Sequence, residues 1–223
     1  MTARPPVHKT TDMFYVFTAV LSYLLGSIPS GYLIGRSQGV DLRLAGSGNI
    51  GATNALRTLG KPLGYLCFFA DFAKGFAAVF LARTWWASEF ALLPAICGVT
   101  AAIFVVIGHN FPIWLGFKGG KGISTSAGII LGLFHPLVFA GAVLAWLGFF
   151  FATRYVSIAS MAGALALPIG LTVLWAQGIE PGLYVILGIV MAALAFWRHR
   201  SNIKRLIQGT ESKARKNADR PPA

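Results

Sequence analysis

Two loops gather the residue types from which an anion site is built. The first, LAGSGNIGATNALR, places Gly46, Gly48 and Gly51 around Ser47 and Asn49, followed by Thr53, Asn54 and Arg57. Glycines let successive backbone N–H groups turn inward as an anion-binding nest, the hydroxyls and amides add neutral donors, and the guanidinium supplies a fixed charge. A purely structural turn would use the same glycines, so this loop alone leaves both readings open. Its spacing also coincides with G-x-G-x-x-G, with Asp71 twenty residues beyond. That dinucleotide fingerprint requires a strand before it and a helix after it, whereas here an apolar span precedes it.

The second loop, GHNFPIWLGFKGGKGIST, interleaves Lys118 and Lys121 with Gly116, Gly119, Gly120 and Gly122, immediately before an apolar segment. It departs from the Walker A pattern, because Leu115 stands at the first required glycine and Gly122 follows the Gly-Lys pair where Ser or Thr is needed. Nucleotide hydrolysis is not expected. Two cations in a glycine cradle at a helix N-terminus suit a phosphate through both dipole and hydrogen bonding. A loop that served only to orient the chain in a membrane would not need those glycines.

Between the loops, DFAKG sets Asp71 and Lys74 three residues apart and so on one helical face within an apolar stretch. Charges at that depth pair with each other or line a polar cavity, so a packing ion pair and a substrate contact for Lys74 both remain open. His109 and Asn110 stand where the third apolar run meets the second loop. A general base and a capping or packing role fit His109 equally well. The chain has no His-x4-Asp pair, no HExxH, no GxSxG and no Cys/His cluster, and Cys67 and Cys97 lie inside apolar runs as packing residues. No covalent nucleophile, metal site or cofactor is expected.

These motifs hang on an unusually apolar chain. Of 223 residues, 56% are hydrophobic and only 12% charged, with mean hydropathy +0.67, more apolar surface than one soluble core would hide. A bilayer-spanning helix takes about 20 mainly apolar residues. Such runs predict seven spans, near 14–35, 62–82, 90–108, 122–134, 136–153, 156–176 and 182–197. The expectation is an all-α, polytopic integral membrane bundle over 14–200, with motif loops at 41–57 and 109–122. The fourth span, GISTSAGIILGLF, is short for a bilayer and is expected to be tilted, re-entrant or shielded by neighbours. A polar segment, MTARPPVHKTTDM, precedes the first run. It lacks a convincing cleavage site, so that run reads as a retained helix.

Alternating the spans puts Arg36, Arg43, Arg57, Lys61, Lys118, Lys121, Arg154, Arg198, Arg200, Lys204 and Arg205 on one side and only Arg4, Lys9 and Arg83 on the other. The positive-inside rule makes the crowded side cytoplasmic, with the N-terminus outside and the C-terminus inside. Topology and anionic headgroups thereby account for most of the +12 net charge, and no nucleic acid is expected as a partner. Trp85 and Trp86 are expected at the outer interface. The basic segment from Ser201 reads as a cytoplasmic interfacial helix fading into a disordered tail, DRPPA, over 201–223.

GSGNIGATN, DFAKG, GHNFPIWLGFKGGKG and the terminal RHRSNIKRLIQGTE together resemble the acyl-phosphate-dependent membrane glycerol-3-phosphate acyltransferases of bacteria. GSIPSGYLIG and TRYVSIAS are similar to that family too, and the likeness runs in order from about Leu21 to Glu211. The resemblance implies transfer of a fatty acyl group from acyl phosphate to the 1-hydroxyl of glycerol 3-phosphate. The product would be lysophosphatidic acid, in the first step of phospholipid synthesis at the bacterial inner membrane, with the site facing the cytoplasm. It also implies catalytic roles for Ser47, Arg57, His109 and Asn110. Binding roles fall to the first-loop donors, Lys74, the 118–122 segment and, from the later motifs, Ser157, His199, Asn202 and Arg205. Asp71 and Glu211 would be structural, and contact with the enzyme that makes acyl phosphate is a family-level expectation.

Acyl phosphate is a mixed anhydride and already activated, so orienting two anions and stabilising the transition state suffices without an acyl-enzyme. One arrangement puts acyl phosphate on 116–122 and glycerol 3-phosphate on Ser47 and Arg57 with Asn202 and Arg205; the reverse fits equally. Either His109 or the departing phosphate takes the hydroxyl proton. The rival from another class is a transporter for a phosphorylated metabolite or organic anion, which would place charges near the bilayer midplane with access from both faces. A scaffold that only binds anionic lipid would not need three separated Gly/Lys/Asn motifs.

Overall fold

The computed structural model describes residues 7–85 and 93–214. Arg4, Trp86, the side chains of Lys9 and Trp85, and the DRPPA tail lie outside the described residues. Ten α-helices and no strand occur among those described. They are α1 Val7–Ser27, α2 Ser30–Ser37, α3 Ala52–Thr58, α4 Lys61–Trp85, α5 Leu93–Asn110, α6 Ile123–Leu133, α7 Pro136–Thr153, α8 Val156–Ala176, α9 Gly182–Arg198 and α10 Arg200–Ile207, with a 3-10 turn at Ile113–Leu115.

Each expected apolar run contains a helix, and 90–92 of the third run lie outside the described residues. Among the described residues, five stretches are long and apolar enough to cross a membrane: Met13–Ser37, Lys61–Thr84, Pro94–Leu115, Pro136–Thr153 and Val156–Ala176. A sixth is reached if α9 and α10, bent by 54°, count as one span. The run at 122–134 yields only the 11-residue α6. At 1.5 Å per residue that is roughly 16 Å, about half a bilayer core. The first run, read as one span, breaks at Ile28–Pro29, where proline's ring removes a backbone donor and α2 restarts at Ser30. Helix α1 begins at Val7, inside the stretch read as a polar tail.

The chain divides into two compact units, Met1–Phe134 and His135–Ala223. In the first, α1 packs on α5 while α4 packs on both α5 and α6. Small residues set these approaches. A Cβ on Gly128 of α6 would run into the carbonyl of Phe72, and one on Gly75 of α4 into that of Thr125, so backbone meets backbone. Where lipid tails are as apolar as leucine, such close packing replaces the hydrophobic drive that joins helices in water. It also buries much of α6 against α4, as expected for so short a segment.

In the second unit, α7 packs on α8 and α8 on α9. Arg154, in left-handed backbone at φ 62°, ends α7 and turns the chain directly into α8. Glu180 accepts the His135 N–H at 2.6 Å at the start of α7, placing an anion where the helix end carries partial positive charge.

Gly128→Val should destabilise the protein by on the order of 3 kcal/mol through overpacking. A lowered thermal midpoint in detergent would show it, with Gly141→Val, whose Cβ meets nothing within 4 Å, as an unaffected control.

Candidate active site

The first loop is held together by one amide. Asn54, at 2% exposure on α3, accepts the Ser47 N–H at 2.8 Å through Oδ1 and donates Nδ2 to the carbonyls of Leu42 (3.1 Å) and Ala45 (3.0 Å). Gly46 takes left-handed backbone at φ 58°, and a Cβ there would overlap the Asn54 side chain. Asn54, read from the sequence as a donor to phosphate, therefore spends both ends of its amide on the loop. Asn49 likewise turns inward, its Oδ1 accepting the Gly51 N–H at 2.9 Å. Ser47, Thr53 and Arg57 remain exposed on the outer face of this frame, along with Gly46 and Gly48. The start of the loop is tied by Arg43, which bonds Asp41 through Nε (3.0 Å) and a terminal nitrogen (2.6 Å). Those bonds hold the Asp41 carboxyl down to about 2.

The second loop folds back onto the end of α5. Gly119 donates its N–H to the Asn110 carbonyl and Gly120 to that of His109, each at 3.1 Å. A Cβ on Gly120 would overlap His109 Nε2, so the loop lies directly on the imidazole. Gly122, left-handed at φ 83°, opens α6 beside Asn110 Oδ1. Lys118 is exposed, Lys121 half-buried, and Gly120 and Gly122 buried. The cradle seen in the sequence is thus a turn with Lys118 on its outer side.

Beneath it lies the charge cluster. Lys74 Nζ is 2.9 Å from Asp71 Oδ1 and donates to the Ile28 carbonyl at 2.9 Å, at the break between α1 and α2. Asp71 Oδ1 also faces His109 Nδ1 at 3.5 Å. All three side chains are about 95% buried. Cys67, fully buried, directs its thiol at Asp71 Oδ2 from 3.9 Å. A small cleft between Ser27, Ile28, Ile50, Asp71, Lys74 and His109 marks the spot. Sequence reading passes over Ser27; the signal for it is Pro29, which breaks the apolar run beside it. Among the described residues, the Ser27 and Thr125 hydroxyls and both ends of the Asn110 amide are buried without a hydrogen-bond partner.

In the second unit the terminal motif closes on itself. Glu211 Oε1 accepts from Ser157 Oγ (2.9 Å) and Asn202 Nδ2 (2.6 Å), and its Oε2 from Arg205 Nε (2.7 Å). Its side chain is 6% exposed, whereas Arg205 keeps 37%. Burial raises the Glu211 carboxyl, but the bonds from Asn202, Arg205 and Ser157 outweigh it and leave the group below its ordinary range. His199 is buried at the bend between α9 and α10, with Nδ1 2.7 Å from the Ala195 carbonyl. Ser157, Asn202 and Arg205, expected to bind substrate, thus converge on Glu211, expected to be structural.

Fold and loops define a multi-pass helical membrane protein that presents cations on glycine turns. Residues 16–209 match the family of glycerol-3-phosphate acyltransferases. The glycerol-3-phosphate acyltransferase of Agrobacterium fabrum is 41% identical over 206 residues, 92% of this chain and 94% of that protein. That of Desulforamulus reducens is 45% identical over 208 residues, 93% and 96% of the two. The fold is similar to the crystal structure of PlsY (YgiH), an integral membrane glycerol 3-phosphate acyltransferase, in its glycerol 3-phosphate form. That match has 38% identity and a TM-score of 0.80 over 90% of this chain and 96% of that one. The lysophosphatidic acid form of PlsY matches at 39% identity and a TM-score of 0.76, over 89% and 94%. This chain belongs to the glycerol-3-phosphate acyltransferase family.

Asn54→Ala should cost about 2 kcal/mol, because it strands two carbonyls and an N–H in and around the loop. Ser47→Ala should leave the thermal midpoint in place, since the bond at Ser47 comes from its backbone. For Glu211 the folded carboxyl lies below its ordinary 4.5. Its contribution to stability is therefore complete above that value and lost as pH falls through the lower, folded one. Thermal melts between about pH 6 and pH 3 should show this acid-side loss, and Glu211→Gln should flatten it.

Proposed function

We propose that the protein transfers a fatty acyl group from acyl phosphate to the 1-hydroxyl of glycerol 3-phosphate, releasing lysophosphatidic acid and phosphate. The observation that carries this reading is the division of labour in the two loops. Buried groups hold each frame, while Ser47 and Lys118 stay exposed on glycine turns and Arg57 on α3 of the same compact unit. A reaction between two anions needs such paired phosphate contacts and little else.

The donor's anhydride carbonyl is attacked by the glycerol hydroxyl, a C–O bond forms, and the bond from carbonyl carbon to the phosphate oxygen breaks. Fixed positive charge on each phosphate brings two anions together that would otherwise repel. Donors aimed at the developing oxyanion contribute on the order of 100-fold or more in rate. The hydroxyl proton passes either to the departing phosphate or to His109. In the second unit, Asn202 and Arg205 sit on the Glu211 cluster, and the exposed part of Arg205 is the portion suited to a phosphate.

The cationic loops belong on the cytoplasmic face of the bacterial inner membrane, with seven apolar segments, the N-terminus outside and the C-terminus inside, as the distribution of Lys and Arg favours. On that face the donor would come from the enzyme that makes acyl phosphate.

Purified protein supplied with labelled glycerol 3-phosphate should form product with acyl phosphate and not with acyl-CoA or acyl carrier protein. No product from any donor, together with anion uptake into liposomes, would replace this reading with a transporter. In the same assay Ser47→Ala and Lys118→Ala should each lower kcat/KM by roughly 100-fold.

A further inference from the structure

The cluster under the second loop contains two charges and an imidazole that reach little solvent, so their contacts are with protein. Lys74 directs its ammonium at Asp71 and at the Ile28 carbonyl, both at 2.9 Å. That carbonyl lies at the α1–α2 break, so the lysine side chain ties α4 to α1 and not to the exposed loop faces. Asp71 in turn faces His109 Nδ1 at 3.5 Å. With that edge of the ring turned to Asp71, the opposite edge at Nε2 is the one on which Gly120 rests.

The backbone repeats the link. The His109 and Asn110 carbonyls receive the N–H groups of Gly120 and Gly119. The imidazole is therefore both a neighbour of the charge pair and the floor of the turn that carries Lys118 and Lys121. A rotation of the ring about its bond to α5 would lift or release that turn, and the geometry that opposes such a rotation is the Asp71 contact.

We propose that Asp71, Lys74 and His109 are positioning residues: the charge pair fixes the imidazole, and the imidazole sets the height and register of the Gly119–Lys121 turn so that Lys118 meets a substrate phosphate. Lys74 does not itself touch substrate. The kinetic half of this proposal rests on the acyltransferase reading, and the loop-holding half stands on geometry alone.

The test uses the full-length protein in detergent, with turnover and tryptic cleavage after Lys118 and Lys121 measured side by side, well below each variant's thermal midpoint. Asp71→Asn combined with Lys74→Met removes both charges together, so that neither is left unpaired in the interior. This pair should raise the cleavage rate at least about tenfold and lower kcat/KM by a similar factor, mainly through KM, as expected when a positioned group is displaced. His109→Ala should do the same. His109→Gln, whose longer side chain reaches the Nε2 position on which Gly120 rests, should restore slow cleavage and most of the activity.

Unchanged cleavage in both the paired variant and His109→Ala would overturn the proposal. So would a His109→Gln protein that is cleaved slowly yet is as inactive as His109→Ala, because the ring would then act on the reacting atoms. If the paired variant does not fold, Gly120→Ala, which pushes the turn off an intact imidazole, must show the faster cleavage or the proposal fails. A wild-type protein inactive with every donor would overturn the acyltransferase reading instead, and the cleavage comparison would still decide this one.

Discussion

A carboxylate and an ammonium inside an apolar helix bundle persist only as partners, because each alone would lose its hydration without compensation. Here the Asp71–Lys74 pair does more than cancel its own charge. Lys74 reaches the carbonyl that the α1–α2 break exposes, and Asp71 turns toward His109 at the end of α5. Three stretches of chain far apart in sequence are thereby brought to one point, directly beneath the glycine-lysine loop. The packing of α1 on α5 and of α6 on α4 delivers those stretches to within reach.

Above that point the two loops follow one rule. Groups that could bind a ligand are spent inside the loop when they are buried or half-buried, as with Asn54 and Asn49, and are presented outward when they are exposed, as with Ser47, Arg57 and Lys118. A binding loop has to be rigid before the ligand arrives if its donors are to favour a transition state over water. The amide cross-links of Asn54 and the seat of Gly120 on His109 supply that rigidity without occupying the outward face.

The second unit solves a similar problem with the opposite charge at its centre. Glu211 gathers a hydroxyl, an amide and a guanidinium from the start of α8 and from α10, and this holds the segment after α10 against the helices. Arg205, still partly exposed, joins that structural knot to the surface. The terminal motif is therefore first a clasp, and any contact with substrate is made by groups the clasp already fixes.

Much of this was legible from residue order. Hydropathy alone marks every apolar helix, since a chain this apolar has few other ways to satisfy its backbone in lipid. The Gly/Lys/Asn loops announce themselves by composition, and DFAKG shows a charge pair by its three-residue spacing. The short fourth run is visible as too short, but not as a helix buried on α4, because that depends on Gly75 and Gly128 meeting backbone from another element. Pattern likewise cannot tell Asn54 from Ser47. Both are small polar residues of one motif, and only their burial, set by how α3 packs on α4, separates the staple from the presented group. Sequence by itself determined which apolar segments are helical and which residue types could bind phosphate, because those follow from hydropathy and side-chain chemistry. The tertiary structure alone decided which of those residues face inward, because that depends on contacts between stretches of chain that no local pattern records.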